Sequence, residues 1–195
     1  MAHSRGDTRA RILHTAAELF QRQGYGATGL NQVLTASGAP KGSLYFHFPD
    51  GKEQLAAEAM ALAGAEMAER MAEAAAAATG PAEAIAALGA LLAQGLEDSD
   101  YRDGCPIATV ALEEAGDTGP IHDACQRTYE LWLLGIGARF RGWGLAEQEA
   151  QELADLAMSS LQGALLLARV RRDSAVIHAV ARRVGAIAAQ GASDR

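Results

Sequence analysis

Residues 28–52 read TGLNQVLTASGAPKGSLYFHFPDGK. The stretch predicts two short helices separated by Gly38. The first, 28–36, opens on Thr28, whose hydroxyl suits an N-cap, and sets Leu30, Val33 and Leu34 on one face. The second, 40–46, opens on Pro40, which a first helical turn tolerates because its missing N–H would have no intrahelical partner. Phe48-Pro49-Asp50-Gly51 then reads as a turn. Two short helices joined by a tight glycine turn are the layout of a helix-turn-helix. The first helix braces across the nucleic-acid backbone, and the second enters the major groove, which admits only a helix or a two-stranded ribbon. The second segment offers Lys41, Ser43, Tyr45 and His47 as donors to phosphates or base edges, and Gly42 permits close approach. Leu44 and Phe48 face the other way, toward Phe20 and Leu34. Thr28 and Lys52 stand at helix starts, where free N–H groups favour a phosphate.

Working outward, residues 7–23 form an amphipathic helix. Asp7 is its N-cap, Ile12, Leu13, Ala16, Ala17, Leu19 and Phe20 form its apolar face, and Gly24 is its C′ residue. Beyond Gly51 the pattern is helix after helix, at 52–78, 82–97, 106–115, 121–141, 146–171 and 173–190. The breaks are Gly80-Pro81, a polar loop at 98–104, Gly116 with Gly119-Pro120, and Gly142-Trp143-Gly144. No segment alternates as a strand would, and no internal repeat is visible. The expectation is an all-α protein of about nine helices, with a three-helix head at 1–51 and a larger helical domain at 52–195.

Charge follows the same division. The chain carries a net −7, yet residues 1–52 hold six Lys/Arg against three Asp/Glu, and the remaining 143 hold 11 against 21. A basic head on an acidic body fits a DNA-binding module joined to something that avoids DNA. In 153–168 apolar residues fall nearly all round the helix, and Ile177, Val180, Val184 and Ile187 form one stripe of the last helix. A helix apolar on every side is buried on every side. Leu153, Leu156, Leu165, Ile177, Val180 and Val184 are therefore expected in a homodimer interface built as a four-helix bundle.

Other motifs carry less. Gly24-Tyr25-Gly26-Ala27-Thr28-Gly29 matches G-x-G-x-x-G, but a helix precedes it where a dinucleotide fold needs a strand. His3, His14, His47, His122 and His178 are scattered, and Cys105 and Cys125 stand 20 apart, so no metal or other cofactor is expected and the cysteines read as small core residues. No acid/base pair or nucleophile marks a catalytic site. The first residues, MAHSRGDTRAR, lack the apolar segment of a secretory signal, and the charge-free runs 84–96 and 156–168 are 13 residues each, too short for a bilayer. A cytoplasmic protein without a membrane partner is expected.

Residues 8–60 resemble the DNA-binding domain of the TetR/AcrR family of bacterial regulators. The resemblance rests on Ile12-Leu13-(x)-Thr15-Ala16-Ala17-Glu18-Leu19-Phe20, on Gly24-Tyr25 and on Gly42-Ser43-Leu44-Tyr45-Phe46-His47-Phe48, in the family's order and spacing. Gly51 makes the following turn one residue longer than in many members. The string from Gly38 to Tyr45, the Pro49–Lys52 turn and Gly104-Cys105-Pro106-Ile107-Ala108 are similar to the LmrA/YxaF-type branch. The resemblance implies a homodimeric, non-enzymatic repressor that binds roughly palindromic double-stranded operator DNA and leaves it when a small molecule binds. It assigns Lys41, Gly42, Ser43, Tyr45 and His47 to the recognition helix, and Thr28 and Lys52 to phosphate contact. It also implies a pocket among the middle helices of the second domain, for which Leu92, Leu96, Ile107, Val110, Tyr129, Trp132, Leu133 and Leu161 are the candidates. Tyr129 and Trp132 suit a small apolar or aromatic effector. The competing expectation is a small-molecule-binding or catalytic helical protein whose DNA-binding head is vestigial.

Overall fold

The computed structural model describes residues 5–114 and 118–193, so the expected helix stop at Gly116 lies outside the described residues. Among the described residues there are nine helices and no strand: α1 (Arg5–Gln23), α2 (Leu30–Ser37), α3 (Ser43–His47), α4 (Gly51–Ala74), α5 (Pro81–Asp98), α6 (Ala108–Glu113), α7 (Pro120–Gly142), α8 (Glu147–Arg171) and α9 (Ala175–Ser193). The chain forms two compact units. One comprises residues 1–66 and 105–128, the other 67–104 and 129–195. The compact unit that holds the head is therefore larger than residues 1–51, because the first part of α4, α6 and the start of α7 join it.

In the first unit α1 packs on α2, α3 and α6. Ile12, Ala16 and Phe20 of α1, Val33 of α2, Leu44 of α3 and Leu55 of α4 are buried together with Phe48. The periodicity of α1 sets these residues on one face, and burying such side chains contributes about 1.5–3 kcal/mol each. Gly38 ends α2 at φ +64°, and the N–H of Ala39 donates to Leu34 O at 3.1 Å. Only glycine adopts that left-handed cap without strain, and it directs the chain sharply into α3.

The second unit is built on α5, α8 and α9, with α9 packed on both of the others. A Cβ on Gly89 of α5 would lie 2.7 Å from the Cβ of Ala181 on α9, so the bare backbone at Gly89 is what lets these axes close. At the start of α5, Pro81 follows Gly80, and the Glu83 carboxylate accepts the Thr79 N–H at 2.8 Å. That hydrogen bond, with a second from the Thr79 hydroxyl, holds the Glu83 carboxyl below the usual carboxylate range. At the end of α8, Arg172 adopts φ +53°, pairs with Asp100 and lies over the Tyr101 ring.

Two expectations need correction. The helix expected over 52–78 stops at Ala74, although Ala75–Ala78 continue an alanine run with the best helix propensity. The Arg139 guanidinium donates to the Ala75 carbonyl, and Ala76 and Ala78 close tighter turns onto Glu73 and Ala75. A side chain from α7 overrides local propensity. The charge-free run 156–168 also understates α8, which at 25 residues is long and apolar enough to cross a membrane by length and composition. In the fold it packs on α5 and α9.

Candidate nucleic-acid interface and effector cavity

The turn into α3 is closed by Ser43, whose N–H and hydroxyl both donate to Pro40 O, at 2.9 and 2.6 Å. The N–H of Phe48 donates to Leu44 O at 2.7 Å and ends the helix. Five residues leave no freedom about which face is which. Leu44 and Phe48 are buried, while Tyr45 is 65% and Phe46 66% exposed. Lys41 and Gly42 are exposed just ahead of the helix, and Ser43 and His47 are half-buried. The His47 ring stands edge-on to Phe46, with centroids 5.0 Å apart. Two exposed aromatic side chains thus project from one short helix, with a lysine just ahead of it, and the other face is anchored by two large apolar side chains. Phe46 was not among the expected contacts. Its exposure follows from the position beside Tyr45, on the face opposite Leu44 and Phe48.

Lys52 lies in the first turn of α4, with Nζ 4.2 Å from the centroid of the Tyr25 ring. This cation–π contact holds the ammonium at a fixed place beside the head. Thr28 is not where the sequence put it. It is 1% exposed, its hydroxyl donates to Gly24 O at 2.7 Å, and it accepts from Gln23 Nε2 at 3.1 Å. Gly29, with no side-chain cap, is the N-cap of α2. Thr28 therefore closes the α1–α2 turn from inside, with its hydroxyl engaged by the protein itself. Nearby, the Glu113 carboxylate on α6 accepts the Gly26 N–H at 2.6 Å, and the Thr109 hydroxyl donates to Gln21 O at 3.3 Å. These two bonds fasten α6 to the end of α1 and the loop after it.

Neither Cys105 nor Cys125 forms a disulfide, and both are buried. Burial pushes the Cys125 thiol up to about 11, reinforced by Cys105 and Glu114. Such a thiol is unreactive at neutral pH.

The second unit contains a cavity of about 350 Å³. Ala68, Met71 and Ala72 of α4 and Ala75 just after it form one wall, and Ala84, Ile85 and Leu88 of α5 another. Residues from Leu131 to Phe140 of α7, among them Trp132, Gly135 and Arg139, close the third. A shallower groove runs past Tyr129, Leu133, Leu156 and Met158. Tyr129 meets Trp132 edge-on at 5.5 Å.

Of the expected pocket residues, Trp132 lines the cavity and Tyr129 and Leu133 line the groove. Leu92, Leu96, Ile107, Val110 and Leu161 line neither. Leu96 and Leu161 are buried in the second unit, and Ile107 and Val110 in the first, where they serve as packing. The expected interface residues are also divided. Leu153, Leu165, Ile177 and Val184 are buried within the single chain, and Val180 is half-buried. Only Leu156 of that set is exposed, together with Leu166, Leu167 and Val170 of α8 and Ile187 of α9.

A short brace helix anchored by Val33 and Leu34, a left-handed glycine turn and a second short helix with exposed side chains are the parts of a helix-turn-helix DNA-binding protein. Comparison with known proteins places it further. Residues 12–59 match the family described as bacterial regulatory proteins, tetR family, and residues 81–183 match the LmrA/YxaF-like transcriptional regulator C-terminal domain. The chain is 36% identical over 181 residues to the HTH-type transcriptional regulator YxaF of Bacillus subtilis, covering 93% of this chain and 95% of that one. It is 38% identical over 171 residues to LmrA of the same organism, covering 88% and 91%. Among solved structures, a regulatory protein TetR from Rhodobacter sphaeroides superposes with a TM-score of 0.81 at 20% identity, covering 91% of this chain and 97% of that one. The chain belongs to the TetR family of bacterial transcription regulators, in its LmrA/YxaF-like branch, and is a DNA-binding regulator.

Proposed function

We propose that this protein is a homodimeric repressor that holds a roughly palindromic operator and releases it when a small molecule fills the α4–α5–α7 cavity. The observation that carries the reading is α4 itself. Its first turn bears Lys52, and its last two turns bear Ala68, Met71 and Ala72 on the cavity wall. An occupant that displaces those alanines moves the helix that starts at the DNA-binding head. Two recognition helices must span about 34–36 Å to enter successive major grooves, so a small displacement of α4 in each protomer breaks the match. To reverse a strongly biased equilibrium, the occupant needs a preference of about 5 kcal/mol for the released form.

Gly135 offers a test that needs no ligand. It lines the cavity, and a Cβ built there meets nothing within 4 Å. Gly135→Leu should therefore enter without a backbone clash and raise helix stability by about 0.5–1 kcal/mol. As a built-in occupant it should nonetheless lower operator affinity about tenfold or more in a gel-shift titration. A variant with raised stability and unaltered DNA affinity would count against release through this cavity.

At the DNA surface, Lys41 supports phosphate contact and Tyr45 base or phosphate contact, with the uncapped start of α2 offering its N–H groups to the backbone. Lys41→Ala and Tyr45→Ala should each weaken operator binding by about 1–3 kcal/mol per contact. The Lys41 variant should also show a shallower dependence of log affinity on log salt, since a phosphate contact is lost. An unchanged salt slope would remove Lys41 from the phosphate-contacting set.

A further inference from the structure

Arg139 does three things at the cavity. Its Nη2 donates to the Ala75 carbonyl, its guanidinium carbon lies 5.5 Å from the Trp143 ring centroid, and the side chain lines the cavity. Among the described residues lining that space, Arg139 alone carries a charge. Its Nε is buried and has no hydrogen-bond partner. A guanidinium that lines an otherwise apolar cavity has more N–H donors than the one bond to Ala75 uses, and the best acceptor for a guanidinium is a carboxylate.

The rest of the cavity describes the body of such a molecule. Ala68, Ala72, Ala84 and Gly135 project little from their helices, so the walls they form are flat. Trp132 and Phe140 add aromatic rings, and about 350 Å³ is the small end of ligand sites. We infer that the cavity takes a compact aromatic carboxylate, its ring against the alanine walls and its carboxylate on Arg139. The assignment rests on the proposed effector role only for its regulatory meaning, because binding is measured without DNA. Ala75 directly follows α4, so Arg139 also ties the end of that helix to the anion site.

The test is isothermal titration of the full-length protein with naphthoate and with its neutral isostere naphthamide. A charge-assisted bond is about twice as strong as a neutral one, so naphthoate should bind at least about tenfold tighter. Arg139→Gln should reduce that ratio to about threefold or less, with helicity checked by circular dichroism. If Arg139→Gln loses helicity, Arg139→Lys carries the test, since it keeps the charge and should keep the preference. Equal affinities in the wild type, a ratio that survives Arg139→Gln, a folded Arg139→Lys that binds both equally, or failure of both compounds to bind at millimolar concentration would each overturn the assignment. Operator release is read separately by gel shift. Naphthoate that binds through Arg139 yet leaves DNA bound supports the site and counts against the repressor mechanism.

Discussion

Phe48→Ala should destabilise the DNA-binding unit by about 3–5 kcal/mol, the usual cost of removing a buried phenylalanine. Phe48 is fully buried at the end of α3, the Arg9 guanidinium lies 5.0 Å from its ring centroid, and Arg9 pairs in turn with Glu58 of α4. One ring therefore joins α1, α3 and α4. Whole-domain stabilities are only about 5–15 kcal/mol, so the loss is a large fraction of what holds the head folded. In chemical denaturation the variant should unfold at markedly lower denaturant. In hydrogen exchange the amides of α1–α3 should lose protection while those of α8 and α9 keep theirs. Operator binding should fall with the head's folded population. A loss below about 1 kcal/mol would mean that α3 is anchored by something other than this ring.

The double substitution Leu166→Glu with Val170→Glu should leave a folded monomer. Both side chains are exposed on α8, at 60% and 76%, so within one protomer the change is a surface substitution worth about half a kcal/mol or less. Leu156, Ser159, Gly163, Leu166 and Val170 recur at helical spacing, and Leu167 and Ile187 add to the exposed apolar area. In the proposed dimer this stripe meets its copy, and each buried Leu or Val contributes about 1.5–3 kcal/mol. Four carboxylates placed there would be desolvated against one another. Sedimentation velocity at micromolar concentration should show the monomer, with helicity retained. Operator affinity should drop by about two orders of magnitude or more, because the second half-site is no longer held at high effective concentration. A variant that still sediments as a dimer would place the interface elsewhere.

The residues explain which features a sequence can carry. Gly38, Gly80-Pro81, Gly119-Pro120 and Gly142-Trp143-Gly144 punctuate the chain plainly enough to mark the end of α2, the starts of α5 and α7 and the α7–α8 turn to within a few residues. Which side chains around α3 stand exposed was legible for a similar reason. Around a five-residue helix, two large apolar anchors, Leu44 within it and Phe48 at its C-cap, leave Tyr45 outside, with Lys41 exposed in the turn just before it. Periodicity separates inside from outside but does not say whose inside. Leu153, Leu165, Ile177 and Val184 are apolar because they pack in their own protomer, whereas Leu166 and Val170 are apolar while facing out. The cavity was misread through a different physical cause. Large residues such as Leu96, Ile107 and Leu161 fill space, and space left open is marked by small ones such as Ala68, Ala72, Ala84 and Gly135. Thr28 misled because an N-cap hydroxyl and a turn-closing hydroxyl look alike until the partner, Gly24 O, is seen.

Hydroxyl-radical footprinting on a genomic fragment selected by the full-length protein tests the central claim most directly. Two protected patches on one face of the duplex, centred about one helical turn or a multiple of it apart and both lost in Lys41→Ala, are the expected pattern. A single patch, or protection that Lys41→Ala leaves intact, would contradict a paired α3 reading adjacent major grooves.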